Sequence, residues 1–166
     1  MFTLEIMITA STAIRVADEV WVATALLHRE HPDWADFTLK EIESRLRQEN
    51  LSGTVRRGVY PHLSVHCVAN ARPNPATYRM LFSTGQSRRR LFRPGDSFDP
   101  GRAAGKVMPR RQDIPARYHS LLDAHEAAWA SAPAHDPLLE LARRQRGLWK
   151  GVNADRYVRN LREGWK

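Results

Sequence analysis

The stretch Phe37-Thr38-Leu39-Lys40-Glu41-Ile42 leaves little choice of local structure. A threonine hydroxyl can accept from a first-turn amide of a helix, and a glutamate three residues on can reach back to the threonine amide, which makes a capping box. Phe37 and Ile42 stand at the two positions of a hydrophobic staple, one ahead of the cap and one a turn inside the helix. The pattern predicts a helix starting beside Thr38. Leu39, Ile42 and Leu46 supply its buried stripe, and Leu51-Ser52-Gly53 ends it.

Other elements can be placed around that fixed point. Residues 12–29 put Ile14, Ala17, Trp21, Thr24, Ala25 and His28 at helical spacing, predicting an amphipathic helix capped by Ser11 or Thr12 and stopped by His31-Pro32-Asp33. A third helix is expected within 54–69, with Pro61 in its first turn and Leu63 and Cys67 facing inward. Residues 70–75 read as a loop. Residues 78–83 alternate, with Tyr78, Met80 and Phe82 on one side, Thr84-Gly85-Gln86-Ser87 reads as a turn, and 88–93 as a return strand. Three helices followed by a hairpin predict a mainly α chain with a small β-hairpin, an α+β class, arranged over residues 1–95 as a winged helix-turn-helix.

Prolines 94, 100, 109 and 115 and glycines 95, 101 and 105 then suggest a linker over 96–116. Arg102, Lys106, Arg110 and Arg111 within it read as cations of a solvated linker, with contacts along a nucleic-acid groove as the alternative. Helical spacing returns at Tyr118, Leu121, Leu122, His125, Ala128 and Trp129, so 117–166 is expected to be a helical extension. Its later segments carry stripes at Leu138, Leu141, Gln145, Leu148, Trp149 and Val152, and at Tyr157, Val158, Leu161 and Trp165. A short helix cannot bury such a stripe alone. The stripe needs the body of the protein, a second copy in a homodimer, or the groove of another protein.

Charge gives the functional direction. Of 26 basic residues, 22 are arginine, and the net charge is +8. Between positions 45 and 93 lie ten arginines and a single acid, Glu49, a local net of +9, while the first 44 residues are correspondingly acidic. Such a footprint suits a polyanion. The predicted contacts to duplex DNA are Arg56, Arg57 and Arg79, then Arg88, Arg89, Arg90 and Arg93 on the hairpin, which together supply salt-dependent phosphate contacts. His62, Ser64 and His66 on the third helix are candidates for base edges.

Other classes find less material. His62, His66 and Cys67 are the available metal-ligand types, but no glutamate follows His62 and no acid lies nearby. His119, Asp123, His125 and Glu126 sit in a pattern that packing explains. No catalytic site, metal or cofactor is expected. The lone cysteine fits a chain without an intramolecular disulfide, no apolar run is long enough to span a membrane, and MFTLEIMI lacks a basic leader region. A cytoplasmic, non-membrane protein is expected, with either Met1 or Met7 as its start.

Two stretches resemble known families. TLKEI, GVYPHLSVHCVAN and RRRLFRPGD, within 37–96, resemble a bacterial winged-helix family of restriction and defence-associated proteins. GLWKGVNADRYVRNLREGW, residues 147–165, resembles the toxin-neutralising tail of Vap-type antitoxins, which pair with PIN-domain ribonuclease toxins. The region before it departs from the swapped-hairpin or ribbon-helix-helix dimer usual in those antitoxins. The resemblance implies a type II toxin–antitoxin regulator that represses its own operon. In the tail it implies Trp149, Tyr157, Val158, Leu161 and Trp165 as apolar anchors. Arg156, Arg159 and Arg162 become candidates for insertion among the toxin's metal-binding carboxylates. The alternative is a winged-helix regulator whose C-terminal helices only dimerise.

Overall fold

A computed structural model of the chain describes residues 13–54 and 56–132. The chain divides into a body reaching Ser131 and a second unit, Ala132–Lys166. The body is a mixed α/β fold of helices and a small three-stranded antiparallel sheet. Its elements are α1 (Val16–Glu30), β1 (Phe37–Thr38), α2 (Leu39–Glu49), α3 (Val59–Pro61, continued by a π-helical turn, His62–His66), β2 (Leu81–Gly85), β3 (Arg88–Leu91) and α4 (His119–Ala130).

Helix α1 is central rather than one-sided. Every residue from Ala17 to Leu27 is buried, because α2, α3, β3 and α4 all pack against it. The run Val20-Trp21-Val22-Ala23 is apolar on all faces, the pattern of an enclosed helix rather than an amphipathic one. Arg15 occupies its N-cap without a side-chain cap, and Ser11 and Thr12 lie outside the described residues. Asp18 and Glu19 are buried in the first turn, where the helix dipole favours anions. Lys106 Nζ lies 2.7 Å from Asp18 Oδ1, and Arg56 Nη2 lies 2.7 Å from Glu19 Oε2. Burial pushes the Asp18 carboxyl above its ordinary range, and Lys106 pulls it partly back.

The capping box forms as its sequence dictates. Thr38 Oγ1 accepts from the Glu41 amide at 3.2 Å, and Glu41 Oε2 accepts from the Thr38 amide at 2.6 Å; together these are worth about 1 kcal/mol. Phe37 and Ile42 are both fully buried. Asn50, in left-handed conformation at φ 50°, closes α2 just before the expected stop.

The sheet differs from the expected hairpin in two ways. Two residues ahead of α2 form β1, which pairs with β3 through Phe37↔Arg89 and Thr38↔Arg88 and makes the strand order β1-β3-β2. A two-residue strand has no periodicity, so its sequence shows only the staple. Second, the alternation fails at the start of β2. The amides of Met80 and Leu81 both donate to the Cys67 carbonyl, at 3.1 and 2.9 Å. This kink turns both side chains into the core, while Phe82 lies only half-buried under the Arg90 guanidinium.

The segment expected to be a linker is part of the body. Arg102 is fully buried, and Ile114 and Tyr118 join the core. Gly105 passes so close to the Thr77 carbonyl that a Cβ there would sit 1.8 Å from its oxygen. Arg79 reaches the segment through its amide and its Nε, donating to the carbonyls of Lys106 at 2.9 Å and Gly105 at 3.2 Å. Helix α4 then buries Leu121 and Leu122 in the same core, so it closes the body instead of opening an extension.

Candidate nucleic-acid interface

Helix α3 is short, and its C-terminal end is held by two arginines rather than by a capping residue. The last carbonyls of a helix lack intrahelical partners. Here four consecutive ones are satisfied in order. Arg89 donates to Leu63 O at 3.0 Å and Ser64 O at 3.3 Å, and Arg102 donates to Val65 O at 2.8 Å and His66 O at 2.9 Å. Arg102 also donates to the carbonyls of Ala71, Arg72 and Tyr78. Among the described residues neither guanidinium forms an ion pair with a carboxylate. Their charges rest on converging carbonyl dipoles at the negative end of a helix. Burial lowers the pKa of both below the ordinary arginine value.

The expectation of one continuous cationic surface is corrected by these contacts. Arg89, only 7% exposed, is a core donor and not a hairpin contact. Arg56 is committed to Glu19 and to the Ile14 carbonyl. Arg88 pairs with Asp36, and Arg90 makes a two-pronged pair with Asp96 at 2.6 and 2.7 Å while lying over the Phe82 ring. Arg45 is bound by Glu30 and Glu49, and Arg47 by Glu43. Arg79 lies over Phe98, 4.5 Å from the ring centre. Of the ten arginines, that leaves Arg57, Arg72 and Arg93 without a side-chain partner among the described residues. The reason is spatial: the acids absent from the arginine run lie mostly between residues 18 and 43, a stretch that folds against it. Across the described residues 18 basic side chains face 13 acidic ones, a net of +5.

The three candidate readers of base edges are half-buried. His62 Nδ1 lies 2.7 Å from the Gly58 carbonyl, and its ring stacks on Tyr78 and meets His66 edge-on at 5.0 Å. Burial holds its pKa below the ordinary histidine value. Ser64 donates to Pro61 O at 3.4 Å. Cys67 beside them is buried, and its thiol pKa is pushed up by burial. Among the described residues no group of three His, Cys, Asp or Glu is placed to hold a metal.

What α3 does expose is Tyr60, 65% accessible, with Arg57 just ahead of the helix and Arg72 in the loop after it. Sequence reasoning passed over Tyr60 because aromatic residues are normally core. Its position one residue before Pro61, in a helix whose inward positions are Val59 and Leu63, was the available signal. Arg93 faces elsewhere, lining an apolar cleft with Arg29. The proposed toxin contacts Trp149, Arg156, Tyr157, Val158, Arg159, Leu161, Arg162 and Trp165 lie outside the described residues. No protein-family model, curated protein or solved structure matches this chain.

Proposed function

We propose that this chain is a double-stranded-DNA-binding regulator whose body works as a winged helix-turn-helix and whose tail neutralises a PIN-domain ribonuclease, an antitoxin that represses its own operon. The observation that carries the DNA half is topological. The elements run α1-β1-α2-α3-β2-β3, and β1 lies beside β3 in the order β1-β3-β2. In that layout α3 is offered to a major groove and the β2–β3 hairpin lies against the adjacent backbone.

Arginine density does not carry the reading. The contacts it leaves are Arg57, Tyr60 and Arg72 around α3, together with Arg88, whose side chain is 46% exposed beside Asp36. Two unpaired cations, Arg57 and Arg72, with Arg88 neutralised by Asp36, predict a salt dependence of log K on log salt of about −2, against about −9 had all ten arginines been free. Fluorescence anisotropy of full-length protein with a duplex taken from upstream of its own coding sequence, at several salt concentrations, tests this. A slope near −2 that Arg57→Ala reduces by about one supports the reading. No binding to any duplex at low salt removes the DNA half.

The antitoxin half is supported by the resemblance of residues 147–165. Inhibition of a ribonuclease encoded beside this gene by a peptide of residues 147–166 supports it. Absence of inhibition leaves a DNA-binding regulator whose C-terminal helices only dimerise.

A further inference from the structure

We infer that the cleft formed by α1, the end of β3 and α4 is a binding site for a small aromatic carboxylate. The cleft has a volume of about 650 Å³, within the usual size of small-molecule sites. Ala25 on α1 and Ala124 and Ala128 on α4 give it low, flat walls, and Trp129 supplies an aromatic surface. Two guanidinium groups, Arg29 and Arg93, line it, and among the described residues no acidic one does.

Both arginines lack an ion-pair partner among the described residues, in a body where the hairpin arginines are engaged. Three acids of the neighbouring segments are already committed. Asp96 accepts from both terminal nitrogens of Arg90 and from the Arg93 backbone amide. Asp36 is taken by Arg88 and Thr84, and Glu30 by Arg45. The two histidines of the cleft add no competing charge. His28 Nε2 accepts from the Leu91 amide at 3.3 Å, and His125 Nε2 accepts from Trp129 Nε1 at 2.8 Å. An imidazole that accepts at Nε2 is neutral and carries its proton on Nδ1. The cleft therefore joins apolar walls to two positive forks whose donors are unpaired among the described residues, and a planar apolar body bearing one carboxylate satisfies both. This reading is independent of DNA binding.

Isothermal titration calorimetry of the full chain with 2-naphthoate tests it, with 2-naphthamide as the uncharged analogue of the same shape. Naphthoate is expected to bind about tenfold more tightly than naphthamide, and Arg29→Gln and Arg93→Gln are each expected to weaken naphthoate about tenfold while leaving naphthamide unchanged. Arg47→Gln, on the exposed face of α2 and away from the cleft lining, is expected to change neither. Three results overturn the inference: no heat and no tryptophan fluorescence change with naphthoate up to millimolar concentration, equal affinity for acid and amide, or unaltered naphthoate binding in both cleft variants.

Discussion

The hairpin and the α1–α4 cleft treat the same side chain in opposite ways. Along β3, Arg88 and Arg90 meet carboxylates and Arg89 sinks beneath α3. At the cleft, Arg29 and Arg93 line an apolar hollow and meet none among the described residues. In sequence the triple arginine draws attention, and the two singletons do not. Yet a guanidinium paired at 2.6 Å presents a dipole, whose field fades much faster with distance than that of a free charge. The density of arginine in a chain therefore measures how much cationic chemistry is present, not how much is available to a partner. Availability depends on where the acids fold.

Removing Arg102 is expected to have the largest effect and would break the comparison outright if it did not. Arg102→Met strands five backbone carbonyls in the core, a loss of about 3–5 kcal/mol. Urea unfolding of full-length protein measures it, and a variant without a cooperative transition counts as the same result. Arg102→Lys should recover only a small part, because an ammonium has three donors and no planar fork. A loss below about 1 kcal/mol for Arg102→Met would mean that the carbonyl cage is not holding α3.

The second prediction concerns the cleft through pH. Burial lowers His28 to about 4, helped by Arg93 and Arg90, with Asp36 opposing, and burial alone lowers His125 to about 4. Both rings are neutral when folded, whereas unfolded histidine takes up a proton near pH 6.5. Below that value the unfolded state binds more protons, so stability falls as pH drops from about 6.5 towards about 4 and is level above. Between pH 7 and pH 5 the pair should cost roughly 2–4 kcal/mol. His125→Gln should remove about half of that slope, and an unchanged slope would show that His125 is not held neutral in the folded cleft.

These two regions also mark what could be read in advance. The capping box, the staple and the hairpin turn were legible because each is written within a few residues. Thr38 and Glu41 need no knowledge of the rest of the chain. The two-residue β1 carries no period to detect. The ion pairs that neutralise the arginine run join residues 37 and 52 positions apart, Glu19 with Arg56 and Asp36 with Arg88. No local window contains both partners. Only the acidity of the first 44 residues hinted at where the partners would come from. Arg102 was hidden differently: proline- and glycine-rich sequence reads as solvated linker, but glycine also permits the close approach seen at Gly105. The clue lay in the small neighbours of Gly101-Arg102-Ala103-Ala104-Gly105, which let one long side chain run inward.

The smallest effect sharpens the comparison most, because it asks whether the hairpin pairs hold the fold or only cancel charge. Arg88 and Asp36 form an exposed pair, and Thr84 also donates to Asp36 at 2.6 Å. Those contacts hold the Asp36 carboxyl below its ordinary range, with the Thr84 hydrogen bond as the largest cause. Because the pair is solvent-screened, Arg88→Gln should cost no more than about 0.5 kcal/mol of stability. Asp36→Asn removes the countercharge while keeping an oxygen for Thr84 to donate to, and it leaves Arg88 free. If the hairpin lies along DNA, that variant should bind duplex several-fold more tightly at low salt, with a slope steeper by about one. Arg88→Gln should leave affinity close to that of the parent, because a paired arginine contributes little there. Equal affinity in all three proteins would place the hairpin away from DNA and leave Arg57, Tyr60 and Arg72 as the contact surface. Tighter binding by Asp36→Asn alone would show that the fold keeps the hairpin's charge suppressed by its own carboxylate.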